Sequence, residues 1–267
     1  MQNNVQVRGL MMLLLAKSLN SNSDYAQNHE DFDETSGVLL TQRKFAEIIE
    51  MISAAYSIHK SVMNLPYELP NDATDETKED LQQLEYGNKI AILGGDYLLA
   101  NACVGLAALR NTYIVEMISI AIGEFTQSEF VGKRDVQGRF IPEEHSITLK
   151  SWLQRNQMAN VSLLASGFKG TAMLSQQSDE ISEKCEKIGR HIALALQAFT
   201  ELQSFVDESS EQELDLSVAP ILFHLQNDKE LLKYVQNCDG DISNLNLSQV
   251  NITNTNFKYF KYFKGLF

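Results

Sequence analysis

Residues that commonly take part in catalysis are scattered along this 267-residue sequence. The histidines form no pair at the helical spacing of a metal site; they are His29, His59, His145, His191 and His224. No H-E-x-x-H, G-x-S-x-G or G-x-G-x-x-G motif occurs, and GFKGT (residues 167–171) lacks the spacing of a phosphate loop. A diphosphate substrate is still possible, and an acidic protein normally holds one through bridging Mg²⁺ ions, which require well-placed carboxylates.

The overall charge narrows the choice of ligands. A net charge of -13 argues against an extended nucleic-acid surface, which needs clustered Lys and Arg. The three cysteines, Cys103, Cys185 and Cys238, are an odd number without C-x-x-C spacing, so we expect neither a disulfide framework nor a zinc site. A reducing compartment is the preferred interpretation.

Helices must position whatever site exists, because apolar residues recur at three- and four-residue steps and only four prolines interrupt them. We therefore predict an all-α fold. The predicted helices cover residues 5–19, 42–65, 81–109, 112–130, 149–174, 179–206 and 218–235, and residues 131–146 read as a surface loop. The stretch 90–109 has membrane length but contains Asp96 and Asn101, so we expect it to be a helix buried in the protein core.

One stretch is far more specific than the rest. YGNKIAILGGDYLLANA, residues 86–102, resembles the G-N-K-x-A-[IV]-L-x-G-D-[FY]-L-L-A-x-A helix of the trans-isoprenyl diphosphate synthases, the polyprenyl synthetase family. Weaker matches follow in the family's order: Arg8 as the substrate-binding arginine, GEFTQ (123–127), SLLASGFKGTAML (162–174), IGRHIALALQ (188–197) and SVAPILF (217–223). The chain is most similar to the decaprenyl diphosphate synthase subunit 2 branch.

This resemblance implies a specific architecture. We expect an orthogonal or antiparallel helical bundle around a central cavity, formed by residues 1–236 and incomplete at both ends relative to the family. An irregular Asn-rich tail, residues 237–267, would follow it. In the family two D-D-x-x-D motifs face each other across the cavity, where their carboxylates hold the Mg²⁺ ions that neutralise the leaving diphosphate.

Both motifs are degenerate in this chain. The first falls on residues 60–64, where Lys60, Ser61 and Asn64 replace the carboxylates and Lys60 adds a cation. The second falls on residues 200–204, where Thr200 and Ser204 flank a single acid, Glu201. One carboxylate leaves the charge of several Mg²⁺ ions uncompensated. We therefore predict no catalytic residue, no metal site and no bound cofactor in this chain.

Other parts of the family's apparatus are also missing. Ala159 and Asn160 stand where a lysine-threonine pair would contact diphosphate, and Gly9 stands where a proline normally follows the arginine. The G-G-K that precedes this arginine in the family is absent before Arg8, which retains a predicted role as a diphosphate contact.

The resulting hypothesis is a silent subunit of a heteromeric, decaprenyl-type synthase that supplies the ubiquinone side chain, with Mg²⁺ held by a catalytic partner subunit. The resemblance implies a mitochondrial location and at most peripheral membrane association. It also implies a partner interface through Gly94, Gly95, Leu98, Leu99 and Ala102. Two alternatives stay open. One is an active synthase that uses acids such as Glu47, Glu50, Glu124 or Glu201, and the other is an isoprenoid-binding scaffold.

Overall fold

The structure is a computed structural model that describes residues 7–21, 30–65, 74–134, 140–206 and 216–237. Its α-helices are α1 (Val7–Leu19), α2 (Leu40–Lys60), α3 (Asp75–Ala108), α4 (Thr112–Ser128), α5 (Leu149–Asn156), α6 (Ser162–Leu174), α7 (Asp179–Val206), α8 (Ala219–Asn227) and α9 (Lys229–Asn237). A π-helical turn, Gln157–Val161, joins α5 to α6. The predicted all-α fold is confirmed, and the predicted tail beyond residue 237 lies outside the described residues.

Two short antiparallel hairpins punctuate the helices. Strand β1 (Phe32–Asp33) pairs with β2 (Val38–Leu39), and β3 (Lys133–Arg134) pairs with β4 (Phe140–Ile141). The second hairpin lies inside the segment that the sequence predicts to be a loop. Phe140 and Ile141 are buried, which explains why this segment adopts a fixed pairing.

The chain divides into two compact units. The first unit contains residues 1–122 and 163–189, and the second contains residues 123–162 and 190–267. In the first unit α2 is central, because its apolar stripe is buried; Phe45, Ile48, Ile49, Ile52 and Ala55 are each at most 2% exposed. The second unit has its own core around Trp152, to which α8 contributes Ala219, Ile221, Leu222, Phe223 and Leu225.

Glycines bring the neighbouring helices of the first unit close to α2. A β-carbon at Gly105 of α3 would lie 2.9 Å from the side chain of Ile48, and one at Gly170 of α6 would lie 2.6 Å from the ring of Phe45. Separations this short are not tolerated by real β-carbons, so larger residues at these positions would push the helices apart.

Helix α3 departs from the sequence expectation. Residues 77–108 are long and apolar enough to cross a membrane by length and composition, but only 17% of the most apolar window is buried inside the protein. The prediction of a buried core helix is therefore wrong for most of α3. The sequence could not distinguish a core helix from an apolar helix that leaves most of its surface uncovered, because both carry the same apolar composition.

Candidate functional site

A cavity of about 880 Å³ lies in the first unit among α1, α2 and α3. Its lining combines charged, hydroxyl and apolar side chains, among them Arg8, Leu13, Glu50, Ser53, Ser57 and Leu98. Arg8, the predicted diphosphate contact, therefore does face a cavity. This cavity is the candidate site of the first unit, and the two degenerate motif segments are each described by themselves.

Arg8 shares the cavity with a carboxylate. Burial lowers the pKa of Arg8, and the negative charge of Glu50 partly offsets this effect. Glu50 also accepts a hydrogen bond of 2.6 Å from the backbone N–H of Gly9. A proline at position 9 would have no N–H to donate, so this hydrogen bond requires a residue other than proline at this position.

The first degenerate motif begins at the last residue of a helix. Helix α2 ends at Lys60, and residues 62–65 have no regular secondary structure. The exposed ammonium group of Lys60 lies 5.5 Å from the centre of the Tyr56 ring, one turn earlier. Residues i and i+4 share a face only within a helix, so residues 60 and 64 lack that geometry as well as the carboxylates.

The first degenerate motif and the last turn of α2 each contact α3. The side-chain amide of Asn88 donates to the carbonyl oxygen of Met63 (2.7 Å) and accepts from its N–H (2.9 Å). One turn earlier in α2, His59 Nε2 lies 3.3 Å from the carbonyl oxygen of Ile92 and 3.4 Å from Asp96 Oδ1. The sequence pattern did not identify Asn88 as a contact of the first degenerate motif.

Glu201 is the single acid in the second degenerate motif, and it is 8% exposed. Its carboxylate accepts hydrogen bonds from Trp152 Nε1 (2.9 Å), Gln197 Nε2 (2.8 Å) and the backbone N–H of Ala219 (2.7 Å). Ala219 is the first residue of α8, whose own N-cap, Val218, has no side chain that can accept a bond. Glu201, which belongs to α7, thus caps the N-terminus of α8, as carboxylates commonly do at helix N-termini.

The position of the missing lysine-threonine pair is structurally irregular. Ala159 and Asn160 lie in the π-helical turn, where the sequence predicts uninterrupted helix. The amide of Asn160 donates to Asn156 Oδ1 at 3.0 Å. Such turns frequently occur at functional sites, and this one coincides with the position that the family resemblance assigns to the lysine-threonine pair.

Of the other acids proposed for an active enzyme, Glu47 and Glu50 both line the cavity of the first unit, and Glu124 belongs to the second unit. Within the ranges that the structure describes, no group of three or more His, Cys, Asp or Glu residues could hold a metal ion. Glu47 pairs with Arg43 at 3.6 Å on the surface. One carboxylate oxygen of Glu124 is buried without a hydrogen-bond partner in the described part of the chain. Among residues 7–21, 30–65, 74–134, 140–206 and 216–237, the donor set does not fit a cluster of Mg²⁺ ions.

The predicted partner interface divides between two sides of α3. Gly95 is buried, and a β-carbon there would lie 2.2 Å from Nε2 of His59 in the same chain. Ala102 is 1% exposed, and Leu98 lines the cavity. The prediction that Gly95 and Ala102 form part of the partner interface is therefore wrong. Both residues lie on the face of α3 that α2 of the same chain already covers. Gly94, by contrast, has open space where a β-carbon would lie.

An apolar stripe runs along the opposite side of α3. Five large apolar residues form this stripe, and each is between 51% and 71% exposed: Tyr86, Ile90, Leu93, Tyr97 and Val104. Successive members are four, three, four and seven residues apart in the sequence. Steps of this kind form one continuous seam along a helix, the spacing with which a second helix packs. We call these five residues the outer stripe.

Solved structures define the class of fold. A medium/long-chain length prenyl pyrophosphate synthase from Arabidopsis superposes with a TM-score of 0.63 at 24% identity, covering 93% of this chain and 72% of that one. A decaprenyl diphosphate synthase from Rhodobacter capsulatus gives a TM-score of 0.63 at 14% identity, with 95% and 71% covered. The chain has the all-α fold of the isoprenyl diphosphate synthases.

Sequence comparison identifies the family. The Polyprenyl synthetase family model matches residues 73–212, just over half of the chain. All trans-polyprenyl-diphosphate synthase PDSS2 of Rattus norvegicus is 31% identical over 226 residues, and Decaprenyl-diphosphate synthase of Dictyostelium discoideum is 27% identical over 252. These alignments cover 84% and 90% of this chain but 54% and 48% of the relatives, so the chain spans about half of their length. The chain belongs to the polyprenyl synthetase family.

Proposed function

We propose that this chain is a non-catalytic or regulatory subunit of a heteromeric long-chain trans-polyprenyl diphosphate synthase, of the decaprenyl type, supplying the ubiquinone side chain. One observation carries the proposal. Residues 60–64 and 200–204 together contain one carboxylate, Glu201, and its oxygens already accept hydrogen bonds from three donors. Ionisation of an allylic diphosphate without Mg²⁺ leaves the departing charge unstabilised.

Two further observations support assembly with a catalytic chain. The outer stripe of α3 leaves large apolar side chains uncovered, and uncovered patches of this kind mark protein interfaces. Several relatives are named as polyprenyl, solanesyl or decaprenyl diphosphate synthases, and one is named as a mitochondrial hexaprenyl pyrophosphate synthase from Yarrowia lipolytica. We accordingly propose a mitochondrial location for this subunit and Mg²⁺ in the partner only.

Reconstitution tests the proposal. The chain, a catalytic polyprenyl diphosphate synthase chain from the same source, and their mixture are each incubated with Mg²⁺, an allylic diphosphate and labelled isopentenyl diphosphate. We expect no product from this chain alone and long-chain product from the mixture. Product from this chain alone, or a mixture no more active than the partner alone, contradicts the proposal.

Calorimetry provides a test of the missing metal site that does not depend on a partner. The isolated chain is titrated with a non-hydrolysable allylic diphosphate analogue, with and without Mg²⁺. We expect no magnesium-dependent binding, because the donor set cannot hold the ions. Tight binding that appears only with Mg²⁺ would support the active-enzyme alternative.

The cavity favours a second candidate, an isoprenoid-holding scaffold. It is large enough for a short isoprenoid chain, and Leu10, Leu13, Met51 and Ile58 give it apolar walls. Mass spectrometry of organic extracts from the purified chain tests this candidate. A stoichiometric isoprenoid in the extract would favour it, and a lipid-free chain would leave the silent-subunit proposal as the better account.

A further inference from the structure

Helix α3 has two opposite faces that follow the same seven-residue period. Asn88, Gly95 and Ala102 lie seven residues apart and form the inner face, which contacts the rest of the first unit. The outer stripe occupies the opposite side. Any rotation of α3 about its axis therefore moves the outer stripe as well.

The two halves of α3 differ in how much of their surface is buried against the rest of the protein. In the C-terminal half Gly95, Ala102 and Leu106 are buried. Between residues 77 and 94 no residue is buried, yet Tyr86, Ile90 and Leu93 of the outer stripe belong to this half. Apolar packing thus fixes one half of the helix and leaves the other dependent on polar contacts.

The polar contacts of this weakly packed half connect it to the first degenerate motif, residues 60–64. The amide of Asn88 forms its paired hydrogen bonds with the backbone of Met63, within residues 60–64. His59 sits above Gly95 and reaches the carbonyl oxygen of Ile92. A single amide that bonds both the N–H and the C=O of one residue fixes its orientation more strictly than one bond would.

We propose that Asn88 is a positioning residue for subunit assembly. Its hydrogen bonds to the backbone of Met63 keep the first degenerate motif packed against α3. They also fix the rotation of α3 about its axis, and thus the direction in which Tyr86, Ile90 and Leu93 point. The first degenerate motif, residues 60–64, thus serves to present the partner surface. This inference rests on the proposed function, because it assumes that the outer stripe binds a catalytic synthase chain.

The test uses the full chain and a catalytic polyprenyl diphosphate synthase chain from the same source. Asn88→Ala removes both bonds to Met63, and Asn88→Asp retains the acceptor but loses the donor. The matched control is Asn227→Ala, which removes an amide bonded to the Phe223 carbonyl oxygen in the second unit. Binding affinity, melting temperature and hydrogen exchange of the Met63 amide are measured for each variant.

We expect Asn88→Ala to expose the Met63 amide to exchange and to weaken partner binding about tenfold, the scale of two lost hydrogen bonds. Asn88→Asp should lose less, and Asn227→Ala should bind like the wild type even if it melts earlier. The inference is overturned if Asn88→Ala frees the Met63 amide but binds with wild-type affinity. If the wild-type chain itself binds no catalytic chain, the proposed function fails and the inference falls with it.

Discussion

At the scale of single residues, Glu201 of the second degenerate motif has a structural role in this chain. A carboxylate that ligates Mg²⁺ must keep its lone pairs available, whereas those of Glu201 accept bonds from Trp152, Gln197 and the first N–H of α8. All three partners are donors. These hydrogen bonds connect three parts of the second unit, so Glu201 contributes to the fold of that unit.

We predict that Glu201→Gln destabilises the chain by about 1–3 kcal/mol. The substituted amide has only one oxygen and turns an NH₂ group toward groups that are themselves donors, which leaves a buried donor unsatisfied. Urea unfolding of the two proteins measures the difference. The control is Thr200→Ala, an exposed neighbour on the same helix. A variant as stable as the wild type would contradict the structural role.

Gly95 illustrates how one missing side chain sets the distance between two helices. The imidazole of His59 occupies the space that a β-carbon at position 95 would need. We predict that Gly95→Ala costs about 1–3 kcal/mol through overpacking, and that the double variant with His59→Ala recovers most of the loss. A thermodynamic cycle of the four proteins, measured by urea unfolding, gives the coupling. Additive effects of the two substitutions would show that the contact is not the cause.

At the scale of elements, α3 is decisive because most of it is uncovered. Its inner face is narrow, and its outer stripe is apolar over five turns of helix. A helix of this composition is stable in water only when a further surface covers it or when the cost of exposure is small beside its other contacts. Its outer side is accordingly the place where single substitutions should separate assembly from folding.

We predict that Leu93→Glu abolishes binding to a catalytic synthase chain and leaves the melting temperature within a few degrees of the wild type. Leu93 is 57% exposed, and exposed positions tolerate charge with little loss of stability. The matched control is Ile188→Glu on α7, where the isoleucine is 48% exposed and off the stripe. Co-purification and differential scanning fluorimetry provide the two readouts. Equal effects of both variants on binding would rule out the stripe as the interface.

At the scale of the whole molecule, the chain combines the isoprenyl synthase fold with two degenerate acidic motifs, residues 60–64 and 200–204. Its fold matches that of solved prenyl synthases over more than nine-tenths of its length, while no group of three or more His, Cys, Asp or Glu residues in the described part of the chain could hold a metal ion. The uncovered stripe should then have a measurable consequence even without the partner.

We predict that the isolated chain self-associates as its concentration rises, because the outer stripe can pack against the same stripe of a second copy. Light scattering coupled to size-exclusion chromatography should show a rising average mass, and Leu93→Glu should keep the chain monomeric. Addition of the catalytic chain should replace the self-associated form by a mixed complex. A wild-type chain that stays monomeric at all concentrations contradicts this prediction.

The sequence by itself determined the helical class, most helix boundaries and the loss of both acidic motifs. Helices follow from local periodicity, which is why 179–206 matches α7 without correction, and lost carboxylates are visible letter by letter. The tertiary structure decided what the surviving residues do. That Gly95 faces His59, that Asn88 holds Met63 and that Glu201 caps α8 depend on contacts between residues 18 to 36 positions apart. Local pattern carries no information about such distant pairings, because they arise only when the helices pack.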